Sequence, residues 1–229
     1  MGDPAELWAE LGFAVEGDRC RLGTVEIHLT GSGDGVGAWC LMAPGGRPVD
    51  AVDGLRTCPP PAAAGGPGDH PNGVTSIDHV VVGTPDLGRT VVALEAAGLQ
   101  LRRRRDAAEV GRGSTEQAFF RPGEVIIEVV GPASPASRPG VGMGLHASEE
   151  AGAGAPAGAA NPPAARLWGL ALTCADLDAT AAFLGPRLGD PRPAVQRGRR
   201  IATLRRQAGS TVPLAFMSAE GAGQDLAGP

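Results

Sequence analysis

A repeated unit constrains the fold of this chain more than any other feature of its sequence. Residues 76–87 read SIDHVVVGTPDL, and residues 166–177 read RLWGLALTCADL. Each copy is an apolar run typical of a strand, then a polar bend, then an Asp-Leu pair that opens an Ala-rich helical segment. Three more strand-like runs follow each helix. The sequence therefore predicts two copies of one strand-helix-three-strand (βαβββ) unit, at residues 74–132 and 166–219.

The elements inside each copy follow from spacing and from turn residues. Leu87, Val91 and Leu94 recur at helical spacing, and Gly98 follows where a C-terminal cap is expected. The strands predicted after this helix are LQLRRRRD, EQAFFRP and EVIIEVVG. In the second copy the helix is predicted in ADLDATAAFLGPRLG, and the strands after it in PAVQRG, RRIATLRR and VPLAFMS.

The rest of the chain divides into blocks of different composition. Residues 1–57 resemble a third copy without its first strand and are predicted to form a partial βαβββ-like module. Residues 58–73 read as a Pro/Gly/Ala linker, residues 131–165 as a flexible loop, and residues 220–229 as a tail. These segments contain too little apolar mass to offset the entropy of ordering them, so we expect them to be flexible.

Charge and cysteine content exclude several classes of protein. The net charge of −5 argues against nucleic-acid binding, which needs an excess of clustered positive charge. The four cysteines form no C-x-x-C pair, which favours reduced thiols and a cytoplasmic location. The acidic start of the chain does not read as a signal peptide, and no apolar stretch approaches the ~20 residues of a membrane helix. We therefore expect a small-molecule ligand, no nucleic acid and no membrane, and either a monomer or a homodimer.

The two-copy pattern resembles the vicinal oxygen chelate superfamily, whose members are also called glyoxalase-like proteins. DHVVVGTPDL and IIEVVGP carry the resemblance, which covers residues 74–132 and 166–219 and extends loosely to 1–57. It implies an α+β fold in which paired βαβββ modules form a curved mixed sheet, the glyoxalase/bleomycin-resistance-like fold. Members include isomerases, lyases, epimerases, ring-opening dioxygenases and metal-free drug-binding proteins, so the fold does not decide the function.

The same resemblance implies a site inside the cup that two modules form. Its usual metal ligands are a His on the first strand and a Glu on the last strand of each module. His79 and Glu128 stand at these places in the first module and are the candidate catalytic residues and metal ligands. In the second module the places fall on Gly169 and about Ala215, which offer no ligating side chain. The expectation is half of a site for Zn, Ni, Mn or Fe; the alternative is that His79 and Glu128 hydrogen-bond each other, a ligand or water.

A third metal ligand could come from the N-terminal block. In TVEIHLT, alternation places Glu26 and His28 on one face of a strand and the apolar residues on the other. If this block docks beside the cup, His28 or Glu26 could complete the site, and His28 is the candidate third ligand. The alternative is a solvated outer strand face.

Arginine clusters offer candidate substrate-binding residues. RRRR at 102–105 and the arginines of RGRRIATLRR lie at roughly matching places in the two modules. Since alternate residues of a strand face opposite ways, each cluster could direct one or two guanidiniums into the cup, where arginine binds carboxylate or phosphate. Arg103, Arg199 and the neighbouring Gln196 are the candidates. The alternative is a charged, exposed strand that discourages edge pairing.

Three functional hypotheses follow. The first is a glyoxalase-like protein that binds a small, oxygen-rich, anionic metabolite; if it is catalytic, His79 and Glu128 hold a metal or serve as acid-base groups in lyase, isomerase or dioxygenase chemistry. The second is a metal-free protein of the same fold that binds or sequesters a small molecule. The third is an interaction module that uses its exposed sheet to dimerise.

Overall fold

The computed structural model describes residues 1–43, 45–49, 51–59, 68–107, 115–132 and 164–220. The N-terminal block contains α1 (Ala5–Glu10), β1 (Val15–Glu16), β2 (Arg19–Leu22), β3 (Val25–His28), β4 (Met42–Ala43), β5 (Arg47–Pro48), β6 (Ala51–Val52) and β7 (Leu55–Arg56). The first module contains β8 (Val74–Gly83), α2 (Leu87–Ala96), β9 (Leu101–Ala107), β10 (Thr115–Phe120) and β11 (Ile126–Pro132). The second module contains β12 (Arg166–Cys174), α3 (Leu177–Leu184), β13 (Arg192–Pro193), β14 (Arg200–Thr203) and β15 (Leu214–Ser218).

The two modules share one mixed sheet of eight strands. Its order is β13-β14-β15-β12-β8-β11-β10-β9. Within each module the first and last strands are parallel neighbours, β8 with β11 and β12 with β15. The modules join edge to edge because β8 and β12 pair antiparallel. The predicted α+β fold with paired βαβββ modules is confirmed, and the modules pair within one chain.

Both helices begin at the aspartates that the repeat predicts. Asp86 accepts a hydrogen bond from the backbone N–H of Arg89, and Asp176 accepts from the backbone N–H groups of Asp178 and Ala179. These N-caps satisfy donors that have no partner inside the helix. Gly98, with φ of 93°, follows α2 in the left-handed conformation that glycine adopts without strain.

The helices cover one side of the sheet, here called the helix side, and the N-terminal block packs on that same side. One core joins Trp8 and Phe13 of the block to Leu172 and Phe216 of the second module. Phe13 lies between the rings of Trp8 and Phe216, at centroid distances of 4.5 and 6.5 Å. A second core joins Val52 of the block to the first module. The opposite side of the sheet, the helix-free face, therefore stays available for a site.

Two buried carboxylates attach the N-terminal block to the modules. Asp3 is fully buried and accepts hydrogen bonds from Trp8, Ser210 and Thr211. Burial disfavours its carboxylate, but these hydrogen bonds outweigh burial and lower its pKa. Asp53, between β6 and β7, accepts from Arg89 of α2 at 2.6 Å. The block is thus bound to both modules by polar contacts as well as by apolar packing.

The N-terminal block differs in detail from the expected partial module. A helix and seven short strands are described there; β1, β2 and β3 form a small sheet, β4 pairs with β5 and β6 with β7, and none of them extends the eight-stranded sheet. His70, from the predicted linker, is buried; its Nδ1 accepts from the backbone N–H of Ala14, and its Nε2 lies 2.8 Å from the backbone oxygen of Arg21. The C-terminal part of that linker is therefore anchored.

One predicted strand is wrong. PAVQRG forms a turn, and regular pairing is limited to Arg192 and Pro193 opposite β14. The backbone N–H of Arg199 donates to the carbonyl of Gln196, and Gly198 has a φ of 79°, so the chain reverses where an extended strand was expected. The predictions for residues 133–163, for 60–67 and for 221–229 lie outside the described residues.

Candidate functional site

The two residues that the repeat singles out meet on the helix-free face. His79 lies on β8 and Glu128 on the neighbouring β11, where register pairs Glu128 with Val81, two residues along from His79. His79 Nε2 and Glu128 Oε2 are 3.2 Å apart. Their side chains are only 12% and 13% exposed. The two groups therefore form a close pair of titratable side chains that is largely shielded from water.

Asp78 joins this pair because β8 contains a β-bulge. Ile77 pairs with Leu172 and His79 pairs with the adjacent Ala171, so Asp78 is an extra residue in the ladder. Strict alternation would send Asp78 and His79 to opposite faces. The bulge instead lets the two side chains meet, and Asp78 Oδ1 lies 2.8 Å from His79 Nδ1.

Arg199 reaches this carboxylate from the second module. It precedes β14 and is only 7% exposed. Its Nη1 donates to Asp78 Oδ2 at 2.6 Å, and its Nε donates to the backbone oxygen of Ser218 at 2.8 Å. The remaining nitrogen, Nη2, is buried and has no hydrogen-bond partner within the described part of the chain. Arg199 therefore bonds to the site residue Asp78 and does not lie free as a surface charge.

Two further polar side chains extend the network on the other side of Glu128. Gln117 of β10 donates its amide N–H to Glu128 Oε1. Arg105 of β9 donates from Nε to Gln117 Oε1 at 2.8 Å, and its guanidinium lies 5.5 Å from the ring centre of Phe119. A continuous chain of polar contacts thus crosses both modules; its members are Arg199, Asp78, His79, Glu128, Gln117 and Arg105.

The two carboxylates of this network have opposite pKa shifts. Burial raises the pKa of Glu128, and the nearby charge of Asp78 adds to the shift against the opposing charges of His79 and Arg105. Burial acts on Asp78 in the same direction, but hydrogen bonds from His79 and Arg199 outweigh it and lower its pKa. Carboxyl groups whose environments separate their pKa values in this way are suited to different roles in proton transfer.

The described residues do not supply a full metal site. Ala215 stands in β15 where Glu128 stands in β11, because it pairs with Ala171 as Glu128 pairs with Val81. At Gly169 a Cβ would lie 2.6 Å from the backbone oxygen of Pro213, so even alanine would collide there. Two side-chain ligands remain, one fewer than catalytic sites usually provide. Nowhere in the described ranges do three or more His, Cys, Asp or Glu side chains form a group that could hold a metal ion.

His28 does not complete the site. Its strand, β3, belongs to the separate N-terminal sheet. Ile27 is buried in the core, and alternation directs the half-exposed His28 to the other side, where its Nε2 lies 3.0 Å from Glu26. Glu26 in turn accepts a hydrogen bond from Arg21 at 2.6 Å. The pattern of alternation was predicted correctly, but that face belongs to an ion-pair cluster away from the sheet.

The other candidate residues differ in their surroundings. Arg103 is exposed on β9, and register pairs it with Phe119, which in turn pairs with Glu128, so Arg103 lies on the helix-free face. Gln196 is exposed in the turn before β14. Trp168, at 51% exposure, forms a second β-bulge on β12, since its neighbours Leu167 and Gly169 pair with adjacent residues of β8. The repeat spacing matches this bulge to Asp78.

A cleft of about 240 Å³ reaches the network at Asp78 and Arg199. The sheet contributes Ser76 and Thr173, the β10–β11 loop contributes Arg121, and the β2–β3 turn contributes Thr24. Thr24 also donates to Glu124 of that loop at 3.0 Å. The N-terminal block therefore forms one wall of the cleft that reaches Asp78 and Arg199.

Sequence reasoning missed three members of the network. Asp78 was missed because nothing in SIDHVVVG marks a bulge. Gln117 and Arg105 could have been found by alternation once hairpin register was known, since they are directly paired between β9 and β10. Arg199 was selected as a substrate-binding residue, and the structure shows that its guanidinium already binds Asp78.

Comparisons with solved structures give matches of low identity. Methylmalonyl-CoA epimerase from Mycobacterium tuberculosis is 19% identical with a TM-score of 0.42, over 64% of this chain and 89% of that one. A hypothetical protein from Bacillus halodurans C-125 is 16% identical with a TM-score of 0.43, over 63% and 94%. A Streptomyces coelicolor methylmalonyl-CoA epimerase variant in complex with 2-nitronate-propionyl-CoA is 20% identical with a TM-score of 0.42, over 64% and 99%. No protein-family model and no curated protein sequence matches the chain. The fold assignment above depends on the strand order and not on these matches.

Proposed function

We propose that this protein binds a small, oxygen-rich, anionic metabolite on the helix-free face and that His79 and Glu128 move a proton to or from it. The observation that carries the proposal is the buried contact of 3.2 Å between His79 Nε2 and Glu128 Oε2, in a network that fixes both groups. A general acid or base needs a position within hydrogen-bond reach and a pKa close to working pH. The raised pKa of Glu128 moves it in that direction.

Charge balance supports one transferable proton in this pair. Asp78 and Arg199 form an ion pair and largely cancel each other's charge. His79 and Glu128 can then share one proton: either the Glu128 carboxyl donates to Nε2, or the imidazolium donates to the carboxylate. Because an uncompensated buried charge is costly, the pair is favoured in the state that holds one shared proton.

Recognition of an anion is supported by the first module's arginines. The guanidinium of Arg105 bonds to the neutral side chain of Gln117, and neither Arg105 nor Arg103 forms an ion pair with a carboxylate among the described residues. Both face the side of the sheet that holds His79 and Glu128. Arginine at such a position suits the carboxylate of a small metabolite.

The reaction class that this arrangement favours is proton abstraction from carbon next to a carbonyl group. The deprotonated member of the pair takes the proton, and the C–H electron pair moves onto the carbonyl oxygen to give an enolate. Return of the proton gives isomerisation, and loss of a leaving group gives elimination, so isomerase and lyase chemistry are both served. The two-ligand donor set does not fit a resident metal, and no step here depends on one.

The second candidate is a metal-free binding protein of the same fold. Gly169 and Ala215, which leave the second module without a functional side chain at either ligand position, favour it. In that case His79 and Glu128 would hydrogen-bond a ligand without changing it. The oligomeric state and the cellular location stay predictions; no helix in the described part of the chain is long and apolar enough to cross a membrane.

Solvent-deuterium exchange separates the candidates. Chelator-treated protein is incubated in deuterated buffer with a panel of 2-oxo acids, 3-oxo acids and malonates, and loss of the C–H signal is followed by NMR. We expect faster exchange for one class of acid, and a fall of about 100-fold or more in Glu128→Gln. The matched control is Asp178→Asn, which changes an exposed carboxylate paired with Arg200. Binding of an acid without exchange would favour the second candidate, and neither binding nor exchange would refute both.

A further inference from the structure

We propose that Arg199, supplied by the second module, is a positioning residue that acts through Asp78 to fix the tautomer of His79 in the first module. This inference rests on the proposed proton transfer between His79 and Glu128. The second module has no ligating side chain at Gly169 or Ala215, and this inference gives it a different contribution to the site.

The guanidinium of Arg199 is held in place from two directions. Its Nε donates to the backbone oxygen of Ser218 at the end of β15. Its own backbone N–H closes the turn to Gln196, and the next residue, Arg200, begins β14. With only 7% of the residue exposed, the Nη1 group that reaches Asp78 has little freedom to move.

Asp78 uses its two oxygens for two different partners. Oδ2 accepts from Arg199 at 2.6 Å, and Oδ1 faces His79 Nδ1 at 2.8 Å. Because an ionised carboxylate only accepts hydrogen bonds, the ring nitrogen facing it must carry the proton. This leaves His79 Nε2 free to exchange a proton with Glu128. Burial acts against the Asp78 carboxylate, but the hydrogen bonds from His79 and Arg199 outweigh it and lower its pKa.

The consequence of removing Arg199 follows from the same contacts. Without Arg199 the Asp78 carboxylate would lose the contact at Oδ2 that orients it, and Oδ1 would no longer be held against Nδ1. The ring proton would then be free to move to Nε2, where it can donate to the Glu128 carboxylate. The pair would lose its acceptor nitrogen, although His79 and Glu128 themselves were unchanged.

The bulge at Asp78 makes this connection between modules possible. By repeat spacing the second module has a bulge at the matching place, but there the two residues are Trp168 and Gly169. The bulge of the first module thus brings together two titratable side chains, Asp78 and His79, whereas the bulge of the second module contains none. The second module instead contributes its arginine across the β8–β12 seam.

The test is the tautomer of His79, read from imidazole nitrogen and proton signals of ¹⁵N-histidine-labelled protein near neutral pH. His79→Gln identifies the signal among the four histidines. In the unaltered protein we expect the Nδ1–H form. In Arg199→Gln we expect the Nε2–H form to become the major one, while Arg199→Lys, which keeps the charge, restores Nδ1–H. The matched control is Arg200→Gln, which removes the neighbouring arginine from an exposed pair with Asp178 and should leave the signal unchanged.

A second variant keeps the test decisive if Arg199→Gln does not fold. In Asp78→Asn, Arg199 requires the amide oxygen, so the amide N–H group turns toward Nδ1 and the Nε2–H form is again expected. Retention of the Nδ1–H form in Asp78→Asn, or in a folded Arg199→Gln, overturns the proposal. For an acid that the unaltered protein exchanges, Arg199→Gln should lower kcat at least about tenfold and leave KM within about twofold. The tautomer is read without any substrate, so a failure of the proposed function and a failure of this inference are distinguishable.

Discussion

Gly169 gives the sharpest test of why the second module cannot supply a metal ligand. The structure implies that no side chain fits there, because an added Cβ would lie 2.6 Å from the backbone oxygen of Pro213 and 3.1 Å from its Cβ. The obstructing oxygen is itself fixed, since it accepts a hydrogen bond from the backbone N–H of Leu170 at 3.0 Å. Gly169→Ala must therefore displace β12 from the chain that leads into β15.

The expected cost can be worked out from these contacts. Overpacking a well-packed core typically costs about 1 to 3 kcal/mol. Loss of the bond between Leu170 and Pro213 would add about 0.5 to 1.5 kcal/mol. Gly169→Ala should therefore lower the free energy of unfolding by roughly 1.5 to 4.5 kcal/mol, the sum of these contributions.

The assay is urea unfolding followed by circular dichroism, with Gly123→Ala as the matched control. Gly123 has open space around its Cβ position and no positive φ, so this change should alter stability by less than about 0.5 kcal/mol. If Gly169→Ala is as stable as Gly123→Ala, the strand can accept a side chain. The physical account of the missing half of the metal site would then be wrong.

Three further predictions concern ionisable groups. Glu128→Gln should gain stability relative to the unaltered protein as pH rises above 4.5. The pKa of Glu128 is raised in the fold, so the contribution of this group to stability is full below its unfolded pKa of 4.5 and is lost as the group ionises in the folded protein. Urea unfolding from acid to neutral pH measures the difference. Asp78→Asn should lower the free energy of unfolding by about 3 to 5 kcal/mol in the same assay, because Arg199 would lose its buried charged partner. The exposed control Asp178→Asn should leave that free energy nearly unchanged. Equal effects of the two changes would contradict the account. Native iodoacetamide labelling, read by peptide mass spectrometry, should separate the four thiols by exposure. The exposed Cys40 and Cys58 should be labelled without denaturant. The buried Cys20 and Cys174 should be protected, because burial raises their pKa values to about 12 and about 11 respectively.

The sequence was sufficient to predict the modules because their signals are local and repeated. The Asp-Leu helix starts, the glycine after the first helix and the alternating strands each specify one element, and the second copy supports the first. The pairing of β8 with β12 in one chain was not predictable in the same way, since the resemblance allowed modules to pair within a chain or between two chains. Strand pairing depends on contacts between distant residues, which periodicity does not report.

The site was half predictable for a related reason. His79 and Glu128 follow from the resemblance, and the structure brings them together. Asp78 required knowledge of a bulge, which shifts a side chain from one face to the other without a sequence signal. Arg199 required knowledge of the turn that replaces the predicted strand PAVQRG. The parts that were missed are those where backbone irregularity, and not residue type, decides which side chains meet.

The most direct test of the central claim is a pH titration of the Glu128 side-chain carboxyl, followed by ¹³C NMR in chelator-treated protein and assigned with Glu128→Gln. The account predicts a midpoint above the ordinary value of 4.5, because burial of the group outweighs the opposing charges of His79 and Arg105. It also predicts that the ring signals of His79 change over the same pH range. A midpoint at or below 4.5, with no response from His79, would contradict the proposal that this pair transfers a proton.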